Sequence, residues 1–226
     1  MPRRRERGLS LIELLVGAAI GLIVVAAAGS VVAAHQAAAR RVQLEARLMQ
    51  DLRAAAELVA RDLRRAGHWA AAASGVRRGD EPVAANPHAE IAPASTSAAV
   101  VALSFSTGAG DAASVDDDER FGFRLRNGAV EMQLGARNWQ ALSDPGTVVV
   151  SAFSVVPRVD EADLATFCAR PCSAGNATCP PRQQVRSYAI TIAGRSPTDP
   201  LVTRELRSVV RVRNDIVVGS CEAGPS

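Results

Sequence analysis

The sequence predicts an α+β protein in which a long N-terminal α-helix, membrane-spanning in its first half, packs with its second half on an antiparallel β-sheet. Three observations lead to this fold class. Residues 14–34 carry no charge, residues 9–66 contain no proline, and residues 100–212 contain segments in which apolar and polar side chains alternate. A chain of 226 residues is long enough for such a helix and for one domain with its own core.

The uncharged run predicts a membrane span. Its 21 residues match the roughly 20 that a helix needs to cross a bilayer, and the arginines before it predict a cytoplasmic N-terminus. A secretory signal peptide, cleaved after Ala28 or Ala34, is the alternative. Two features argue against that alternative: Glu13 lies within the apolar stretch, and the helical pattern continues beyond the run.

Beyond the run, the helix is predicted to become amphipathic. Apolar residues recur at spacings of three and four, which places them on one face of a helix: Leu44, Leu48, Leu52, Ala55, Val59, Leu63 and Ala66. Gly67 is expected to follow the end of the helix, because glycine readily adopts the left-handed conformation found there.

Strand patterns predict a β-sheet in the rest of the chain. Residues 100–105 form a short apolar run, and Asn127-Gly128 predicts a two-residue hairpin turn in which Phe121 faces Leu134. Residues 147–156 predict a nearly continuous apolar strand in the centre of the sheet. Two further strands each carry one apolar face: Arg186, Tyr188, Ile190 and Ile192 on the first, and Val202, Leu206, Val210 and Val212 on the last. The other face of the last strand carries Glu205, Arg207, Arg211 and Arg213, which we interpret as a solvated surface.

The charge distribution argues against a nucleic-acid-binding head. The first eight residues hold four arginines and one glutamate, which accounts for the formal net charge of +3. Residues 9–226 therefore hold 22 basic and 22 acidic residues. Nucleic-acid binders need a clustered basic surface, so no nucleic-acid partner is expected.

Residues 7–15, RGLSLIELL, resemble the processing site of type IV prepilins and pseudopilins. The resemblance implies that a prepilin peptidase cuts between Gly8 and Leu9, that Leu9 is then N-methylated, and that Glu13 is the glutamate at the fifth mature position. Leu9 departs from the phenylalanine that the family usually has there. In a filament, Glu13 would pair with the Leu9 amine of a neighbouring subunit, which would offset the cost of burying its charge. In the alternative interpretation, Glu13 lies at the headgroup level of an uncut membrane anchor.

A second resemblance points to a subfamily. Residues 58–69, LVARDLRRAGHW, resemble the segment that ends the long helix in PilW-type minor pilins, and residues 209–214 resemble the end of those proteins. J-type minor pseudopilins of type II secretion carry a similar Arg-Asp-Leu stretch and are the alternative. A signal-anchored periplasmic enzyme is a third hypothesis.

The resemblance implies a type IV pilin-like fold and a non-enzymatic protein that primes pilus assembly at the filament tip. The implied partners are other minor pilins, the major pilin, prepilin peptidase and the inner-membrane assembly platform. The chain would be a single-pass inner-membrane protein with a periplasmic head before assembly, and part of the extracellular pilus afterwards.

This interpretation divides the chain into four parts. Residues 1–8 are a cytoplasmic leader and residues 9–34 the membrane-spanning and filament-core half of the helix. Residues 35–67 are its amphipathic half. Residues 68–226 form a globular head with a cysteine-containing loop at 157–184 and a C-terminal tail.

Four cysteines are disulfide candidates: Cys168, Cys172, Cys179 and Cys221. Their even number predicts two disulfides in an exported head, with three connectivities open. A zinc site is the alternative, but the spacings fit no zinc ribbon or finger, and no metal is expected.

The remaining polar residues predict no catalytic site and no cofactor. The acidic run at residues 116–119 lacks the ligand pattern of an EF-hand and is interpreted as a solvated loop rather than a calcium site. His35, His68 and His88 are scattered, and none lies near a nucleophile motif.

Overall fold

The computed structural model describes residues 10–76, 83–94, 96–108 and 114–222. Within these residues it contains one α-helix, α1 (Leu11–Arg65), and nine strands. The strands are β1 (Ile91–Ala92), β2 (Val100–Ser104), β3 (Arg120–Arg126), β4 (Ala129–Leu134), β5 (Trp139–Ala141), β6 (Val149–Asp163), β7 (Arg182–Arg195), β8 (Thr203–Arg211) and β9 (Ile216–Val218).

Helix α1 contributes to two compact units, residues 1–44 and residues 45–226. In the first unit, residues 10–43 are exposed. Among the described residues, α1 is the helix long and apolar enough to cross a membrane. In the second unit, the members of the predicted apolar stripe from Leu48 to Ala66 are buried, whereas Leu44, with which the stripe was predicted to begin, belongs to the first unit and is half-buried.

The head contains two antiparallel sheets where the sequence predicts one. The first has the order β1-β2-β3-β4-β5, and the second has the order β6-β7-β8 with β9 also paired to β7. The break falls in the segment 142–148 between β5 and β6, which contains Pro145 and Gly146. Alternation of apolar and polar residues marks a strand but does not say which strands pair, so the sequence pattern could not distinguish the two arrangements.

The predicted β3–β4 hairpin is confirmed in its register. Phe121 pairs with Leu134 and Arg126 with Ala129. Asn127 has φ 51° and Gly128 has φ 74°, as a type I′ turn requires at both central positions.

The predicted central position of the strand at 147–156 is wrong. Strand β6 lies at one side of the second sheet, and β7 is the central strand. The apolar character of β6 has another cause, because the strand also contacts residues 68–148, the first half of the head. Val150 N donates to Gly128 O at 2.7 Å, and Val155 N donates to Ala98 O at 2.9 Å.

The predicted loop at 157–184 is shorter in the structure. Its first seven residues belong to β6 and its last three belong to β7, which leaves residues 164–181 as the connection. Fourteen residue pairs join the two strands. The extension is mostly solvent-exposed, and four of its seven residues are charged, so it gives no apolar alternation. Glu161 accepts hydrogen bonds across the strands from Gln184 at 2.7 Å and from Arg182 at 3.4 Å.

The second half of α1 packs on the inner face of the second sheet. Tyr188, Ile190 and Ile192 of β7 are buried on that face, as predicted. The two elements approach closely at Gly194, because a Cβ there would lie 3.4 Å from Leu52 Cδ2 of α1 and 2.9 Å from Val148 Cγ2. This α+β arrangement is the predicted fold class.

Candidate functional site

The start of α1 carries the residues that the sequence analysis assigns to assembly. Ser10 Oγ accepts a hydrogen bond from Ile12 N at 3.3 Å, and Glu13 Oε2 accepts one from Ser10 N at 3.0 Å. Serine before the helix and glutamate three residues later are the residue types of a capping box, which satisfies free N–H groups at a helix start. Gly8 and Leu9 lie outside the described residues.

Glu13 lies in an otherwise apolar surface. Its neighbours Leu11, Ile12 and Leu14 are between 63% and 75% exposed. No Asp, Glu, Lys or Arg follows Glu13 until Arg40. Among the residues that the structure describes, the carboxylate accepts one hydrogen bond, from the backbone N–H of Ser10.

The other end of α1 is hydrogen-bonded to the head through carbonyl groups of its last turn and of the two residues that follow it. Such groups have no partner within the helix and need one from elsewhere. Arg213 N donates to Arg64 O at 3.2 Å, and Asn214 Nδ2 donates to Ala66 O at 2.9 Å. Asn86 Nδ2 donates to Gly67 O at 2.9 Å. Gly67 has φ 77°, as expected for the residue that follows a helix.

Arg186 joins this anchorage from the central strand. Its Nη1 donates to Ala89 O at 2.5 Å, and its Nη2 donates to Asn214 O at 3.0 Å. The residue is buried, and burial lowers the pKa of its guanidinium, opposed by Tyr188 and Asp215. The sequence analysis placed Arg186 on the apolar face of β7, and the carbonyl groups explain how a cation is accommodated there.

The segment 58–69 contains the last residues of α1 and the four residues that follow the helix. Asp62 is 2% exposed, and its Oδ1 lies 3.0 Å from Arg61 Nε. Leu63 and Ala66 are fully buried. The Arg-Asp-Leu stretch therefore combines an apolar contact with a buried carboxylate whose cationic partner reaches the surface.

A buried pair that the sequence analysis missed lies beside this anchorage. His88 Nε2 lies 3.6 Å from Glu119 Oε2, and both side chains are buried. Glu119 also accepts hydrogen bonds from Thr107 N and Asp116 N, both at 3.2 Å. The interpretation of residues 116–119 as a solvated loop is therefore wrong for Glu119. The signal that could have found it is the Asp116-x-x-Glu119 spacing of a capping box.

The surroundings of this pair set its charge state. Burial lowers the pKa of His88 below its ordinary value, and this outweighs the opposite effect of Glu119; the nearby His68 also lowers it. Burial alone would raise the pKa of Glu119, but the hydrogen bonds from Asp116, Thr107 and Ser106 lower it. His88 is therefore neutral and Glu119 is ionised at neutral pH.

We expect the head to lose stability as the pH falls from 7.5 to 5. The unfolded chain binds a proton at His88 below pH about 6.5, whereas the folded chain resists it. The contribution of His88 is therefore complete above that pH and is lost as the pH falls below it. Glu119 adds a second loss below pH about 4.5. Urea unfolding of the detergent-solubilised chain at several pH values measures both.

The variant His88→Gln should flatten this dependence between pH 5 and 7. His35→Gln is the matched control, because His35 is exposed, and it should keep the dependence of the unchanged chain. An equal loss of stability on acidification in His88→Gln and in the unchanged chain would contradict the assignment.

All four cysteines are paired in the structure. Cys168 bonds to Cys221, and Cys172 bonds to Cys179. Glu222, next to Cys221, accepts hydrogen bonds from Ser173 N at 3.1 Å and Asn176 Nδ2 at 3.2 Å. These hydrogen bonds lower the pKa of Glu222, and those from Ser173 have the largest effect. Within the residues that the structure describes, no group of three or more potential ligands could hold a metal ion.

Comparison with known proteins identifies the family. A family model described as "Prepilin peptidase-dependent protein B" matches residues 41–212. The chain belongs to this family. A second model, "Prokaryotic N-terminal methylation motif", matches residues 3–29. No curated protein and no solved structure matches the chain.

Membership in the prepilin peptidase-dependent protein B family establishes the general nature of the protein. It is a type IV pilin-like protein, processed by prepilin peptidase and belonging to a pilus-type system. Pilin-like families are generally structural rather than enzymatic. The match to the methylation motif spans the positions of Gly8, Leu9 and Glu13, and the family match begins at Arg41 of α1 and ends at Val212. The apolar helix and the motif fit a membrane-anchored pilin before assembly.

Proposed function

We propose that the chain is a minor pilin of the PilW type. In this proposal it primes assembly of a bacterial type IV pilus and lies at the pilus tip with other minor pilins. The observation that supports this subfamily is the segment 58–69, which resembles the helix end of PilW-type proteins. Its Asp62, Leu63 and Ala66 are buried where α1 enters the head.

The proposal assigns a role to each part of the chain. Residues 1–8 are the leader that is removed, and residues 9–34 span the inner membrane and later enter the filament core. Residues 35–67 connect this half to the head at 68–226, which is periplasmic before assembly and extracellular afterwards. The proposed partners are the other minor pilins, the major pilin and the inner-membrane assembly platform.

We expect the mature chain to start at Leu9, with its amine methylated. Mass spectrometry of the membrane-extracted protein measures the N-terminal peptide directly. In a strain that lacks prepilin peptidase, the same chain should keep residues 1–8. A mature start after Ala28 or Ala34 in the presence of the peptidase would indicate a signal peptide and would overturn the assignment of Gly8, Leu9 and Glu13.

A deletion strain tests the filament to which the protein contributes. Loss of surface pili, restored by the intact gene on a plasmid, is the result expected for a PilW-type minor pilin. A J-type pseudopilin is the second candidate, because Arg61-Asp62-Leu63 also resembles that class. It would leave piliation intact and abolish type II secretion instead, so counting pili and assaying secreted proteins in the same strain separates the two.

A further inference from the structure

The outer face of the second sheet carries an exposed aliphatic row. Val156 of β6 pairs with Ala189 of β7, which pairs with Val209 of β8. These residues lie on the side opposite the buried Tyr188 and Ile190. Val209 is 73% exposed and Val156 is 43% exposed. Exposed apolar side chains that are surrounded by polar ones are typical of a site where a partner binds.

Arginines surround this row. An open hollow of about 450 Å³ lies on one side of Val209, where β8 ends the sheet; it is lined by Arg211 and Arg213, by Arg64 of α1 and by the buried Val210 and Val212. A second hollow of about 390 Å³, on the other side, is lined by Arg158 and by the row itself. In the described part of the chain, no acidic side chain lines either hollow. The two hollows together therefore place four arginines around the row.

Three of these four arginines form no ion pair with the carboxylates that the structure describes. Arg211 Nη2 lies 2.9 Å from Asp215 Oδ2. Among the described residues, Arg64, Arg158 and Arg213 form no ion pair, and all three are exposed. A guanidinium group presents a planar fork that binds a carboxylate with two hydrogen bonds. The face therefore offers free carboxylate-binding groups on both sides of an apolar strip.

The chemistry of the strip favours protein over nucleic acid. A single-stranded nucleic acid would be expected to stack its bases on aromatic side chains, and the residues that line the two hollows include none. The small side chains of Ser187 and Ala189 keep the middle of the face flat, so that a partner's aliphatic side chains can lie against Val156 and Val209.

We propose that this face docks an acidic, aliphatic segment on the head of another pilin-like subunit. The proposal rests on the proposed function, which puts other such subunits beside this head. The carboxylates of the partner segment bind Arg158 on one side of the row and Arg64 and Arg213 on the other. Its aliphatic side chains cover Val209 and Val156.

A photoreactive residue in place of Val209, in the full chain in cells that form pili, tests the contact. Irradiation should give an adduct whose cross-linked peptide comes from a pilin-like subunit and contains aspartate or glutamate beside aliphatic residues. The same residue at Val100, which is 50% exposed on the first sheet, should give no such adduct. The double variant Arg158→Glu, Arg213→Glu should lower the adduct yield about tenfold. The matched control Arg126→Glu, Arg137→Glu, which reverses two exposed arginines of the first half of the head, should not.

Several results would overturn the inference. They are the absence of an adduct at Val209, an adduct that persists at full yield in the Arg158→Glu, Arg213→Glu variant, an adduct with a protein that is not pilin-like, and a nuclease-sensitive adduct. Counting pili in the same strains distinguishes failure of the docking proposal from failure of the proposed function. If the chain supports piliation and Val209 gives no charge-dependent adduct, only the docking surface is wrong. If deletion of the chain leaves piliation intact, the proposed function fails.

Discussion

A Glu13→Gln variant is expected to be processed and inserted into the membrane but to fail in assembly. The substitution keeps the size of the side chain and removes its charge. Cleavage after Gly8 should continue, because the glycine is unchanged, and the uncharged run at 14–34 still spans the bilayer. In a deletion strain, the variant should restore few or no surface pili and should not co-purify with other pilins.

The expected loss follows from the cost of an isolated carboxylate among apolar helices. A charged side chain at the centre of a bilayer costs about 2.5–3.5 kcal/mol, and the filament interior is similarly apolar. In the isolated chain, Glu13 is bonded to Ser10 N, a neutral partner that compensates only part of a charge. A cationic amine at Leu9 of a neighbouring subunit would compensate the rest. Pairing with that amine would favour one position of the neighbouring subunit over others.

Ser10→Ala is the matched control for this experiment. It removes the hydroxyl that caps Ile12 N but keeps the backbone N–H that binds Glu13. The expected cost is about 1 kcal/mol of helix stability, and piliation should remain. Full piliation by Glu13→Gln at matched expression would show that the charge pair is dispensable for this subunit.

Local rules predicted the parts of the fold whose partners are close in sequence. The Asn127-Gly128 turn fixes the register of its two strands, because a two-residue loop permits only one pairing. The stripe from Leu48 to Ala66 follows from helical periodicity alone. Neither conclusion needed knowledge of a distant residue.

Long-range pairing is where the sequence analysis was wrong. The strand at 147–156 is apolar because it meets both its own sheet and the first half of the head through Ala98 and Gly128, not because strands flank it on both sides. The extension of β6 through Asp163 is mostly exposed, so it shows no alternation although its backbone is fully paired with β7.

The buried polar residues of the head were the hardest to predict. His88 and Glu119 are 31 positions apart, and Arg186 binds carbonyl groups of Ala89 and Asn214. Burial of a charged group requires partners that only the tertiary structure brings together. The position of Arg186 on the inward face was predictable, whereas the carbonyl groups that accept hydrogen bonds from its guanidinium were not.

The second large effect is expected from removing the disulfide between Cys168 and Cys221. The bond closes a segment of 53 residues, whereas the bond between Cys172 and Cys179 closes one of 7. A longer closed loop restricts the unfolded chain more strongly, so the loss is about 4 kcal/mol for the first bond and about 2 kcal/mol for the second. The variants Cys168→Ser, Cys221→Ser and Cys172→Ser, Cys179→Ser are a matched pair, since each removes one bond and introduces the same two side chains.

The structure also predicts where the first variant loosens. Strand β9 is held to β7 by only three residue pairs, and the tail beyond it is fastened by Ser220 N to Thr178 O at 2.8 Å and by the hydrogen bonds of Glu222. Without the Cys168–Cys221 bond these contacts must hold the tail alone. Urea unfolding of the detergent-solubilised full chain should show the larger loss for this variant. Hydrogen exchange should rise at Ile216–Val218 while the centre of β7 stays protected. A larger loss in the Cys172→Ser, Cys179→Ser variant would mean that the short loop, rather than the anchored tail, stabilises this end of the head.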